Sequence, residues 1–203
     1  MKSSQLCYLI LLLVGAGACH HPQARLLLPA RNSGVKLEMD SLQTPELRTF
    51  PVRLKLTNYT RHKVVLVFDS IPTESSSVHP NRYQAKNLYL VVGRDTFFLG
   101  VQAKNKHLVF QESTATSFTC SGYFHYGVGH FDSFQQLDSV CKYGKVVYDF
   151  RPPAPPSVDL TMMGSPVDTL LLPTKLETSI TQAVRVPYIR TFYQWREKRL
   201  TRK

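Results

Sequence analysis

The chain has 203 residues, which is enough for one hydrophobic core of ordinary size, so one domain is expected. It carries 25 Lys and Arg against 14 Asp and Glu, a formal net charge of +11, and this surplus suggests an anionic partner. We find no nucleic-acid-binding module and no continuous basic groove, so nucleic acid is not expected to be that partner.

The N-terminus has the order of a secretory signal. Lys2 precedes an apolar run from Leu6 to Val14, and small residues follow at 15–18. The run is too short to cross a bilayer, which takes about 20 residues. We therefore predict a signal peptide at 1–18. A soluble secreted protein and a cytosolic protein are the alternatives.

The stretch Ala16-Gly17-Ala18-Cys19 resembles the lipobox of bacterial lipoproteins. That resemblance implies cleavage before Cys19 and attachment of a diacylglycerol, with its palmitate-type acyl chains, to the Cys19 sulfur. Acylation also leaves an even number of thiols, so Cys120 and Cys141 are predicted to form a disulfide, with two free buried thiols as the alternative. Residues 19–34 are predicted to be the acylated N-terminus and a tether.

Short β-rich segments follow, with turn residues between them. Residues 50–60 alternate apolar and polar side chains, as a half-buried strand requires. Further strands are predicted at 63–70, 87–101 (as a hairpin), 107–111, 115–127, 145–150, 168–173 and 181–195. Only 131–144 has the spacing of a short helix, and the prolines at 152–156 are interpreted as a rigid crossover.

This pattern indicates an all-β fold, a single antiparallel β-sandwich at 35–190. The segment FPVRLKLTNYTRHKVVLVF resembles the early strands of immunoglobulin-like domains of bacterial envelope proteins, which implies an immunoglobulin-like sandwich. A basic tail is predicted at 191–203. It either is solvated or contacts an anionic surface through five candidate residues, Arg196, Lys198, Arg199, Arg202 and Lys203.

The stretch between Cys120 and Cys141 is rich in aromatic residues and glycines. We interpret its rings as a candidate partner-binding surface or, alternatively, as part of the core: Tyr123, Phe124, His125, Tyr126, His130, Phe131 and Phe134. With Asp132, the two histidines also allow a metal site, but their spacing matches no ligand motif and no metal is expected.

Four Asp-Ser or Asp-Thr pairs are followed by an aliphatic residue, which resembles the O-glycosylation sequon of Bacteroidota envelope proteins. The resemblance implies sugars on Ser41, Ser70, Ser139 and Thr169. We find no nucleophile elbow, phosphate loop, zinc-protease motif or carboxylate pair, so neither catalysis nor a cofactor is expected.

Together these features predict a lipoprotein held in the outer membrane by its acyl chains and facing the periplasm. It would act as a binding or scaffolding module for an envelope protein or an anionic polymer. A small-ligand or metal-binding carrier of the envelope is the alternative.

Overall fold

A computed structural model describes residues 25–27, 34–45, 49–71, 82–103, 106–124, 129–151 and 169–201. In this part of the chain the protein is mostly β-structure, with two helices. The strands are β1 (Arg25–Leu27), β2 (Val35–Leu42), β3 (Thr49–Asn58), β4 (Lys63–Val67), β5 (Ser70–Ile71), β6 (Arg82–Val92), β7 (Asp95–Gln102), β8 (His107–Phe110), β9 (Ala115–Tyr123), β10 (Lys145–Asp149), β11 (Thr169–Leu171) and β12 (Lys175–Ser179). The helices are α1 (Phe134–Tyr143) and α2 (Gln182–Leu200).

The large sheet has the strand order β12-β10-β6-β7-β9-β3-β2, with β5 also paired to β6. Every pairing in it is antiparallel. Its strands alternate apolar and polar residues, as in β3, where Val52, Leu54 and Leu56 are buried while Arg53 is exposed. The sheet curls until the end strands β12 and β2 lie close together, so it is nearly closed and barrel-like.

A smaller sheet has the order β1-β11-β4-β8. The β1–β11 and β11–β4 pairings are parallel, and β4–β8 is antiparallel. Tyr148 of β10 links this sheet to the large one, because its hydroxyl donates to the Val67 carbonyl and accepts from the Val67 N–H, both at 3.0 Å. Tyr148 is fully buried, so these bonds satisfy a hydroxyl that has no access to water.

The two helices pack against one end of the large sheet. Helix α1 begins at the N-cap Ser133, whose hydroxyl oxygen accepts from the Gln136 N–H at 3.3 Å. Helix α2 directs a stripe of residues to the core, with spacings of four, four and three: Val184, Tyr188, Phe192 and Trp195. The Tyr188 ring packs on Phe50 of β3 with centroids 5.6 Å apart, which joins helix and sheet.

Several predicted elements are confirmed. They are the strands at β3 and β4, the β6–β7 hairpin turning at Gly93 and Arg94, and the short helix α1. These segments can be recognised from the local spacing of their polar and apolar residues, without knowledge of distant contacts. The immunoglobulin-like sandwich is not confirmed, since the large sheet curls on itself, and the crossover at 152–156 lies outside the described residues.

The strand predicted at 181–195 is wrong, because residues Gln182–Leu200 form helix α2. The same helix contains residues 191–200 of the segment predicted as a basic tail. The β-branched and aromatic residues of 181–195 favour a strand by propensity. Packing of the Tyr188, Phe192 and Trp195 stripe against the sheet overrides that preference. Within the segment predicted as a tether, residues 25–27 form β1 and pair with β11.

Candidate functional site

The aromatic segment predicted as a binding surface contributes mainly to the core. Phe131 is fully buried and stacks on Phe97 with ring centroids 4.3 Å apart. Phe124 is also buried, with its ring 5.6 Å from that of Phe131. These two rings cannot form an exposed binding surface, so the core alternative holds for them. Phe124 and Phe131 form an isolated parallel β-bridge, which holds the two residues side by side.

The other members of the segment are distributed differently. Tyr123 lies over Gly100 of β7, where only a glycine leaves room for its ring. Phe134 is half-buried and packs edge-on against Trp195 of α2, with centroids 5.6 Å apart. His125 and Tyr126 lie outside the described residues. The segment therefore supplies packing for the end of the sheet that the helices cover.

His130 and Asp132 form a surface pair, with Nε2 of the histidine 2.9 Å from the carboxylate. The His130 side chain is about one-third exposed and Asp132 is largely exposed. Among the described residues no group of three His, Cys, Asp or Glu side chains is arranged to hold a metal ion. The pair can orient the imidazole, but it supplies only two ligating side chains.

Cys120 and Cys141 are buried free thiols in the structure and do not form the predicted disulfide. Cys120 lies within the large sheet, in register with Val52 on one side and Val101 on the other. Cys141 lies on α1 beside the Tyr188 hydroxyl. Burial raises the pKa of both thiols, that of Cys141 to about 12, so both are held in the unreactive protonated form.

Three of the five candidate basic residues, Arg196, Lys198 and Arg199, lie on helix α2. Arg199 stacks over the Trp195 ring at 5.1 Å, while Lys198 is exposed and Arg196 is half-buried. Arg202 and Lys203 lie outside the described residues. The helix fixes the direction of these cations, so Arg196 and Arg199 form part of a rigid surface.

That surface continues from α2 onto the end of α1. Tyr143 is 76% exposed, Leu200 is 62% exposed and Tyr193 is 38% exposed. Lys142 lies close to both tyrosines and is paired with Asp138 at 2.8 Å. We call this the α1–α2 surface, formed by Lys142, Tyr143, Tyr193, Arg196, Glu197, Arg199 and Leu200. It combines exposed apolar groups with an excess of positive charge.

The predicted glycosylation positions lie on regular secondary structure. Ser41 is on β2, Ser70 on β5 and Ser139 on α1, and each is half-buried. Thr169 begins β11, and its side chain is outside the described part. Sugar attachment at these positions remains a prediction.

Sequence analysis missed a cleft between the two end strands of the large sheet. This cleft has a volume of about 1070 Å³ and is lined by β2, by β12 and by Thr181 and Val184 near the start of α2. Neither β2 nor β12 was predicted, although both alternate in polarity (VKLEMD and KLETS). That alternation is the signal that could have found the cleft.

Comparison of the chain with protein-family models, with curated proteins and with solved structures found no match. In the part of the chain that the structure describes, neither helix has the length and apolar character needed to cross a bilayer. Cys19, the predicted acylation site, lies outside the described residues.

Proposed function

We propose that this protein is a lipid-anchored envelope protein of the Bacteroidota type, facing the periplasm from the outer membrane. The support is the order of charge, apolar run, small residues and Cys19 at the N-terminus. A diacyl anchor holds a protein stably at a membrane without a spanning helix. The proposal includes an immunoglobulin-like arrangement of the early strands.

Its proposed role is noncatalytic binding, in which the α1–α2 surface contacts anionic lipid headgroups. The observation that carries this role is the exposure of Tyr143, Tyr193 and Leu200 among the cations of that surface. Amphipathic aromatic rings favour the boundary between water and lipid, and each nearby Lys or Arg contributes about 1 kcal/mol of attraction to an anionic membrane. A bound lipid surface would orient the rest of the molecule for a partner.

Vesicle binding tests the lipid contact. The nonacylated chain from residue 20 is titrated with vesicles of phosphatidylglycerol and of phosphatidylcholine. We expect binding to the anionic vesicles only, weakened about tenfold or more in the double variant Arg196→Gln and Arg199→Gln. The matched control is Lys86→Gln with Arg94→Gln, two exposed cations on β6 and in the β6–β7 turn. Equal binding by both double variants would refute the proposed contact.

Mass spectrometry tests the anchor. The chain extracted from its native membrane is expected to begin at Cys19 with a thioether-linked diacylglycerol. An unmodified thiol on Cys19, or recovery of the native chain from the cytosol, would overturn the anchor. Neither result would change the vesicle experiment, which uses a nonacylated chain.

A further inference from the structure

The end strands of the large sheet run in the same direction. Six successive antiparallel pairings lead from β12 through β10, β6, β7, β9 and β3 to β2. Each pairing reverses the direction, so six reversals leave β12 and β2 parallel. Direct closure would therefore join two parallel strands in an otherwise antiparallel sheet. One additional strand, antiparallel to both, would complete an all-antiparallel closed sheet.

The backbone hydrogen bonds show which groups of β2 face this seam, meaning the gap between β2 and β12. The Tyr59 N–H donates to the Gly34 carbonyl at 2.7 Å. Alternation along an antiparallel pair then directs the main-chain groups of Lys36 and Glu38 toward β3. The N–H and C=O groups of the intervening residues, Val35, Leu37 and Met39, face the seam.

The same argument applies to β12. The Ile180 N–H donates to Gly144 and the Phe150 N–H donates to Thr174, so Leu176 and Thr178 direct their main-chain groups to β10. Lys175, Glu177 and Ser179 direct theirs to the seam. Within the part of the chain that the structure describes, Ser179 alone of these six residues has a side-chain bond to its main chain, in which its carbonyl accepts from the Thr178 hydroxyl at 3.4 Å.

The side chains at the seam indicate the chemistry of an occupant. On the outer face, Lys36 pairs with Glu38 at 2.8 Å and Lys175 approaches Glu177 at 3.9 Å, so the stretches 35–39 and 175–179 carry no net charge. On the inner face, Val35 and Leu176 are only partly buried and border the core. An occupant that matches both faces alternates apolar residues with uncharged polar ones.

We propose that the seam binds an extended segment of a partner protein by β-strand addition, antiparallel to both β2 and β12. Main-chain hydrogen bonds to two rows of groups that, the Ser179 carbonyl excepted, have no partner within the described residues provide the affinity, and the alternating side chains provide the specificity. The partner of the proposed binding module would thus be an extended protein segment. This proposal rests on the noncatalytic binding role proposed above and does not depend on the lipid contact.

Entry of the strand requires the seam to widen. Some Cα atoms of β12 and β2 lie within 8 Å of one another, whereas a strand between them needs about 9.6 Å. The edges therefore move apart by at least about 1.6 Å at their closest points. Neither edge strand carries a proline, so each keeps its complete row of donors.

Amide hydrogen exchange on the full chain in detergent tests the proposal. The probe is a blocked peptide of about eight alternating threonine and valine residues. At about 1 mM peptide, we expect exchange to slow about tenfold at the six seam-facing residues. Exchange at Lys36 and Glu38 should not change, because their N–H groups already bond to β3.

Ser179→Pro removes one seam-facing donor without breaking a bond to β10, and Ser179→Ala is its matched control. We expect the proline variant to bind the peptide about tenfold more weakly and the alanine variant to bind normally. Glu177→Pro, compared with Glu177→Gln, provides a second pair should the first proline variant unfold.

The proposal is overturned if 1 mM peptide leaves the seam amides unprotected, or if proline and alanine variants bind equally. Protection that rises with protein concentration in the absence of peptide would assign the seam to a second copy of the chain, and protection by vesicles alone would assign it to lipid. Either result overturns the proposal as well. Loss of vesicle binding with intact peptide binding would instead refute only the lipid contact.

Discussion

At the scale of single residues, the close approach of Tyr123 to Gly100 is a constraint that can be tested. A Cβ atom at position 100 would collide with the Tyr123 ring. Overpacking of this kind costs about 1–3 kcal/mol, so Gly100→Ala should lower the free energy of unfolding by that amount in urea titrations. In a Tyr123→Ala background the cost of Gly100→Ala should be smaller by about 1 kcal/mol or more. An equal cost in both backgrounds would contradict the contact.

Cys141 predicts a dependence of stability on pH. Burial raises its folded pKa from 9.0 to about 12. The unfolded chain therefore loses this proton before the folded chain does, so the contribution of the thiol to stability is complete below pH 9 and declines as the pH rises toward 12. The free energy of unfolding should fall less steeply over this range in Cys141→Ala than in the parent. Tyr148 also has a raised pKa, but it is common to both proteins. The raised pKa of Tyr188 is due to burial and in part to Cys141, so its contribution also decreases in Cys141→Ala and acts in the same direction. If the free energy of unfolding fell equally steeply with pH in both proteins, the raised pKa of Cys141 would be refuted.

At the scale of elements, the stability of helix α2 depends more on the packing of one buried ring than on the intrinsic helix propensity of its residues. Phe192 is 1% exposed and packs against Tyr188, Trp195 and Phe134. Phe192→Ala should lower the free energy of unfolding by about 3–5 kcal/mol. Tyr193→Ala, the partly exposed neighbour, should cost less than about 1 kcal/mol. Urea unfolding followed by far-ultraviolet circular dichroism measures both. Comparable losses would mean that α2 is not docked by this stripe.

The elements also show where sequence reasoning succeeds and where it fails. Strand β3 is predictable because it is paired on both sides and one face is buried, so apolar and polar residues alternate strictly from Val52 to Thr57. Helix α2 is not predictable in this way, because its β-branched and aromatic residues favour a strand. The stripe from Val184 to Trp195 can be recognised as a buried face only when the end of the sheet that it covers is known. The site shows the same limit. Alternating polarity marks β2 and β12, but only the strand order brings the two edges together.

At the scale of the whole molecule, charge is unevenly distributed. The seam is electrically balanced, because each edge pairs a lysine with a glutamate. Helix α2 instead carries Arg185, Arg190, Arg196, Lys198 and Arg199 against Glu197 alone. A balanced seam suits an uncharged strand, whereas the basic helix suits an anionic surface. The two proposed contacts therefore use separate surfaces and can form in the same molecule.

The pairing of β1 with β11 connects the beginning of the chain to its last third. Three residues, Arg25–Leu27, pair in parallel with Thr169–Leu171, which in turn pairs with β4. Backbone hydrogen bonds contribute about 0.5–1.5 kcal/mol each, so the chain 34–203 should be about 1–3 kcal/mol less stable than the chain 24–203. Both chains lack the acylated Cys19, so the comparison isolates β1 from any effect of the membrane. Urea titration measures the difference, and equal stability would restore the interpretation of this segment as a tether.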